Sequence, residues 1–403
     1  MQEALICRAM RTPVGKYGGA LAAASAEELA AAVIHAILKD LPAERVEDVI
    51  LGQCNPNAES PAIGRTAALR AGLPLEVPGL QLDRRCGSGL QSVCFAAMLV
   101  QTGAADVVVA GGVESMSRAE HYALDMRRGS TRGDIVLHDR LDRARVTAGC
   151  EARFPIQGGM LETAENLRRK YHISRQEQDE YALSSHQRAV AAWNAGAFAN
   201  QVVSMLVPTS RDGILEVSKD EHPRPNTSFD QLSKLRPVRA SFDAEATVTA
   251  GNACGEGDSA AACLVVSRKA ANELALTPQA RLISWAVTGV SPEYMGIGPV
   301  SAVKRALASA ALDLKDIPLI ELNEAFAVQV LACTREWGFC STDFDRLNVN
   351  GGAIAIGHPV GASGARILAD LMAEMQRREA RYALETLCIG GGQGIAAVFE
   401  RAA

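Results

Sequence analysis

Aromatic residues make up only 4% of the 403 residues, so Ala, Val, Leu and Ile must fill whatever core the chain builds. No apolar run approaches the roughly 20 residues of a membrane span, so no membrane-spanning helix is expected. Basic clusters are also missing: 41 Lys and Arg stand against 46 Asp and Glu, a formal charge of −5. A nucleic-acid partner is therefore disfavoured. None of the ten cysteines forms a C-x-x-C pair, and no histidine lies at zinc-site spacing from them. That excludes the common metal patterns and reads as free thiols in a reducing compartment. The opening MQEALICRAMRTPVGKYGG lacks a charged stretch followed by a long apolar one, so a cytoplasmic protein is the expectation. The glycine clusters GGVES, GGAIAIG and IGGGQG never form G-x-G-x-x-G, which argues against a nicotinamide site.

What is present is an alternation of strand-like and helix-like segments, written twice. EALICRAMRT, RVEDVILGQ and ADVVVAGGVES read as strands, the last apolar throughout, as for a strand covered on both faces. SAEELAAAVIHAILKDL has helical apolar spacing and a capping box from Ser25 to Glu28. After residue 270 the order recurs with ARLISWAVTGV, VSAVKRALASAAL, DIPLIELNEAF, GHPVGASGARILADLMAEMQ and YALETLCIGGGQG. The Ser-Gly pairs opening the two glycine-led helices, at 88–89 and 363–364, mark a long-range internal repeat. The pattern predicts an α/β fold of two similar halves packed as one body, with helices over mostly parallel sheets. A more charged stretch between them reads as an insertion covering a site. The expected division is 1–117 and 249–272 for the first half, 118–248 for the insertion, and 273–403 for the second half.

Four loops fall at equivalent strand ends, where ligands of such sheets bind. They carry Cys86 in CGSG, Asn323 in NEAFA, His358 in GGAIAIGHP and Cys388 in CIGGGQG. A helix N-terminus favours thiolate at Cys86, and Gly87 and Gly89 read as leaving room for an approaching carbonyl. A neighbouring imidazole is the usual base for a thiol nucleophile. Asn323 is a hydrogen-bond donor for a water or an oxygen, and Cys388 is expected to face an open cavity. Each residue also has a plain reading as core or loop; their coincidence at one face favours chemistry.

In this order and spacing, CGSGLQS, NEAFA, GGAIAIGHPVGASG and CIGGGQG resemble the motifs of the thiolase family. RTPVGKYGG, AGGVESMS and VTAGNACGEGDSAA extend the resemblance over essentially the whole chain. It implies two βαβαβαββ halves in a five-layered α-β-α-β-α arrangement with an inserted loop domain, and a homotetramer built as a dimer of dimers. It implies an acyltransferase with coenzyme A as substrate and no covalently bound cofactor. Cys86 would attack a 3-ketoacyl-CoA after His358 takes its proton. Cys388 would protonate the leaving carbanion, or deprotonate acetyl-CoA in the reverse Claisen condensation. Asn323 through a water, with His358, would form one oxyanion site, and the N–H groups of Cys86 and Gly390 the other. Arg224, Phe242, Ala250, Cys254, Ala325 and Phe326 match CoA contacts, and Met160 and Met295 match acyl-pocket residues.

Two departures bear on substrate. Gly159 stands where the acetoacetyl-CoA branch has histidine, which suggests a wider acyl pocket and the longer chains of fatty-acid β-oxidation. Cys254 replaces a serine whose hydroxyl bonds the pantetheine arm; a thiol is the weaker donor. Two other functions share the architecture: a non-enzymatic acyl-CoA or lipid binder, and a decarboxylating ketoacyl synthase. The second thiol in CIGGGQG argues for thiolase over the latter.

Overall fold

The computed structural model describes residues 2–129, 132–208 and 213–402. The longest central strands, Val107–Ser115 and Gly257–Val266, are buried at every position. Their sequences, VVVAGGVES and GDSAAACLVV, are mostly apolar or small, because both faces of each strand meet helices. They pair along their full length, antiparallel, from Asp258–Ser115 to Val266–Val107. The strand Leu5–Arg11 lies on the other side of Gly257–Val266, and the parallel strands Asp48–Gly52 and Gly79–Leu82 continue the first half outward.

The second half repeats this order in mirror sequence. Ala280–Gly289 pairs with Gln393–Arg401, then Tyr382–Ile389, then the short strand Ile320–Leu322. Among the described residues, the strands of the two halves pair at Leu5–Arg281 and Ile6–Ala280, at the repeat's axis. The expectation of mostly parallel sheets fails. Both inner strands of each half run antiparallel to their neighbours, and parallel pairing is confined to the outer strands. The reason is local: a strand that returns directly along its neighbour, as Gln393–Arg401 does after Ile389, has no helix with which to cross over.

Three apolar cores separate five layers. One lies between the first-half sheet and the outer helices Ala26–Ile37, Ile63–Arg70 and Arg268–Glu273. One lies between the second-half sheet and Gly298–Ala310 and Ala327–Glu336. The central one encloses Ser88–Thr102 and Ser363–Arg377 between the inner faces of both sheets. Among the described residues the stretch 118–248 adds no strand to the large sheet; it holds the helices Arg140–Thr147, Gly159–Tyr171 and Arg175–Asn194 and two small antiparallel strand pairs. Glu28 does close back on the Ser25 N–H (3.0 Å) at the first helix.

The Ser-Gly pairs mark where the two central helices touch. A Cβ on Gly89 would stand 2.6 Å from the Ala365 nitrogen, and one on Gly364 would strike the Leu90 backbone. A Cβ on Gly87 would stand 2.6 Å from the Ile389 side chain. These glycines therefore serve backbone packing between the halves, and the room expected beside Cys86 is not made by them.

Candidate active site

A cavity of about 500 Å³ opens between the halves and the inserted helices. Cys86, Cys254, His358 and Gly390 line it, with Met160, Met295, Ala250, Ala325 and Phe326. Cys86 sits in a one-turn helix, Arg85–Gly87, just ahead of the longer helix Ser88–Thr102. It thus lies at the entry to the helix, as expected, two residues before its first turn. Burial pushes the Cys86 thiol up. The opposing pull comes first from the Gly390 N–H, then from its own N–H, then from the Arg85 charge. The two amides therefore converge on the sulfur, which is where an acyl oxygen on Cys86 would need donors.

His358 follows Gly357, whose φ of +103° few other residues adopt. Its own N–H donates to Gly255 O (2.8 Å), which fixes the loop against the strand Gly257–Val266. Its Nδ1 lies 2.6 Å from Ser363 Oγ, and that hydroxyl donates to Pro359 O (3.1 Å). A hydroxyl has one proton, so Ser363 accepts from Nδ1–H and the Nε2 lone pair is left free. Nε2 has no partner among the described residues. Burial, with the Arg366 and Arg145 charges, pushes His358 down to about 3. The imidazole is neutral at working pH, with a bare nitrogen in the cavity wall: a base ready for a thiol proton.

Ser363 carries no functional signal of its own in the sequence, although the repeat points to it. Its counterpart Ser88 accepts from Arg84 N (2.8 Å) and donates to Arg85 O (2.7 Å). Each serine thus braces the reactive residue that precedes its own helix.

Cys388 ends the strand Tyr382–Ile389 and does not line the open cavity. It is fully buried, packed in one cluster with Met160, Met295, Ala325 and Phe326. The expectation that Cys388 faces the open cavity is not met: the residue packs in that cluster, whose members Met160, Met295, Ala325 and Phe326 form part of the cavity wall. Burial and the nearby Cys86, Cys333 and Cys254 thiols raise its pKa well above the ordinary range. Asn323 lies just behind the wall as well. Its N–H is bonded to Thr386 O (3.0 Å), while neither side-chain polar atom has a partner among the described residues. A buried amide left open in this way suits a group that bonds when substrate or water arrives.

Two carboxylates hold the loops together, and neither is evident from sequence. Glu114, in AGGVES, accepts from Asn55 N (3.0 Å), Cys54 N (3.1 Å) and Gly361 N (2.8 Å). It ties a first-half loop to the loop after His358. Glu324, beside Asn323, accepts from Tyr181 Oη (2.8 Å), Ser185 Oγ (2.7 Å), Asn348 Nδ2 (3.0 Å) and Ile354 N (3.1 Å). Both stand inside motifs that draw notice for neighbouring residues.

With this geometry in place, comparison with known proteins is decisive. Residues 4–269 match the family described as thiolase, N-terminal domain, and residues 276–401 match thiolase, C-terminal domain. The chain belongs to the thiolase family. An acetyl-CoA acetyltransferase of Chromobacterium violaceum is 45% identical over 99% of this chain and 100% of its own length. A 3-oxoadipyl-CoA/3-oxo-5,6-dehydrosuberyl-CoA thiolase of Escherichia coli is 43% identical over 100% of both chains. The crystal structure of human mitochondrial 3-ketoacyl-CoA thiolase in complex with CoA superposes with a TM-score of 0.91 at 41% identity, covering 100% of this chain and 98% of that one.

Against the thiolase expectation for CoA, the positions fall into two groups. Ala250, Cys254, Ala325, Phe326, Met160 and Met295 lie in the cavity wall. Arg224 and Phe242 lie outside it, exposed; Phe242 is 80% accessible, with the Arg239 guanidinium 5.2 Å from its ring centre. Gly159 has φ +56°, and a Cβ there would stand 3.2 Å from the Arg145 backbone. The space left by the absence of an imidazole at 159 is thus partly filled by the helix Arg140–Thr147, which packs close against Gly159 in the cavity wall of this thiolase. The charged segment 127–149, for which the sequence leaves substrate choice and subunit contacts as alternatives, supplies that helix; its Ser130 and Thr131 lie outside the described residues.

Proposed function

We propose that this chain catalyses CoA-dependent thiolysis of 3-ketoacyl-CoA and the reverse Claisen condensation through an acyl group on Cys86. The observation that carries it is the unpaired Nε2 of His358 in the same cavity wall as Cys86, beside the converging N–H groups of Cys86 and Gly390.

His358 Nε2 takes the Cys86 proton as the sulfur attacks the keto carbon. The carbon–carbon bond breaks, its electron pair passes to the acetyl-CoA enolate, and Cys388 gives that enolate a proton. A second CoA thiol then takes the acyl group from Cys86. A thiol held protonated by burial suits Cys388 as the acid. Asn323, through a water, and His358 stabilise the enolate oxygen in this scheme. Arg224 and Phe242, at the surface, serve the nucleotide end of CoA; Ala250, Cys254, Ala325 and Phe326 serve the pantetheine arm; Met160 and Met295 serve the acyl group.

The reading extends to chains longer than acetoacetyl and so to a degradative, β-oxidation type of enzyme in the cytoplasm. Apolar walls from Met116, Leu141, Val146, Met160 and Met295 support it. The likeness to an acetyl-CoA acetyltransferase favours a four-carbon substrate instead. CoA-dependent cleavage of a 3-ketoacyl-CoA series, followed by loss of enolate absorbance, separates the two. Activity peaking above four carbons supports the degradative reading; activity confined to acetoacetyl-CoA overturns it. No cleavage at any length by a folded enzyme overturns the activity itself.

A homotetramer is part of the same proposal. It draws on the exposed Leu124, Met126, Ile135, Val136 and Leu137 of the insertion and on Leu80 of the sheet-edge strand. Sedimentation equilibrium giving a monomer at micromolar concentration would remove it.

A further inference from the structure

We propose that Arg85 reads the far end of the acyl chain and selects 3-ketoacyl-CoA substrates that end in a carboxylate; this rests on the thiolytic reading of the same cavity. Four charged residues line the cavity: Arg85, Asp142, Arg145 and Glu256. Three of them satisfy one another, since Arg145 is paired with both Glu256 and Asp142. Arg85 is different. Among the described residues its guanidinium makes no hydrogen bond or ion pair, and the nearby Asp83 carboxylate is engaged by the Arg85 backbone N–H (2.7 Å). The adjacent Arg84 is not equivalent, because its guanidinium is bonded to Gln393 Oε1 (3.0 Å).

The backbone at Arg85 is a second, independent observation. Its φ is +48°, a left-handed conformation that glycine would adopt without strain. The conformation is held by the Asp83 bond to its N–H and by Ser88 Oγ and Cys54 Sγ on its carbonyl (2.7 and 3.0 Å). A long cationic side chain kept at a strained position in a cavity wall is a sign of use at that position. Its charge also reaches the Cys86 thiol, favouring the thiolate. Arg85 and Cys86 stand in the wall of the same cavity, so an acyl group on Cys86 shares that space with Arg85.

An acyl chain ending in methyl would strip water from this cation and return nothing. One ending in carboxylate would meet a planar fork of donors matched to it. Selection thus works in both directions, by attraction for the anion and by penalty for the hydrocarbon.

The test compares two six-carbon 3-ketoacyl-CoA substrates, one ending in methyl and one in carboxylate, for CoA-dependent cleavage by the whole enzyme. The expected result is a preference for the carboxylate of roughly tenfold or more in kcat/KM. Arg85→Gln should collapse that ratio, mainly by raising KM for the carboxylate substrate. Arg85→Lys, keeping the charge without the fork, should retain part of it. Equal or better cleavage of the methyl substrate by the wild-type enzyme overturns the proposal without use of any variant. A wild-type preference that survives in Arg85→Gln overturns the assignment to Arg85. Failure to cleave either chain, with acetoacetyl-CoA also untouched, overturns the thiolytic reading and this one with it.

Discussion

At the scale of single residues, the site depends on which groups hold protons. Burial raises Cys86 above the ordinary thiol value of 9.0, while His358 is held neutral down to about 3. An imidazolium–thiolate pair is therefore not the resting state, and the thiolate forms as attack begins. Because the thiol must lose a proton to react, its alkylation by iodoacetamide should climb steadily with pH through 9. A plateau from pH 6 upward would show a preformed ion pair. Ser363→Ala removes the acceptor that fixes the His358 tautomer. Loss of one such hydrogen bond costs about 1–2 kcal/mol, or roughly tenfold in kcat; full activity would show that Ser363 is a bystander. Cys86, His358 and Cys388, the proposed nucleophile, base and second thiol, drew notice in the sequence because packing alone seldom places a reactive side chain among glycines at a strand end. Ser363, Glu114 and Glu324 did not, since their work is done by hydrogen bonds that motif chemistry does not announce, most of them to residues far away in the chain.

Elements set the distances between these residues. The helices Ser88–Thr102 and Ser363–Arg377 approach until Gly89 and Gly364 meet the facing backbone. That contact fixes the Cys86 turn against the His358 loop. Gly364→Ala should push the helices apart and destabilise the protein by about 1–3 kcal/mol or more. Urea denaturation reads the loss, and a parallel fall in kcat would show that the spacing also serves catalysis. Wild-type stability would mean that the interface yields at little cost. The repeat that locates both glycines could be read from sequence. Their purpose could not, because a glycine kept free for a substrate and one kept free for a helix look alike in a linear chain.

For the whole molecule, a buried charge network binds the parts. Arg11 bonds Asp220 through two nitrogens (2.8 and 3.0 Å) and Asp370 at 3.1 Å, and Arg366 bonds Asp370 at 2.6 Å. It connects the first strand, the insertion and a helix of the second half, with Arg11 and Arg366 almost wholly buried. Asp370→Asn leaves two buried guanidinium groups short of a counter-charge. The expected cost is about 3–5 kcal/mol, seen as a large fall in the midpoint of thermal unfolding. A change within error would mean that the Asp220 contact and neighbouring groups suffice.

The sequence alone determined the α/β class and the thiolase resemblance, and it singled out Cys86, His358, Cys388 and Asn323 as candidates, since periodicity, glycine placement and residue chemistry are local properties of a chain. Tertiary structure decided the antiparallel inner strands, the burial of Cys388, the closing of helix Arg140–Thr147 over Gly159 and the unpaired state of Arg85. Each of these depends on what stands opposite in space, which separation along the chain does not specify.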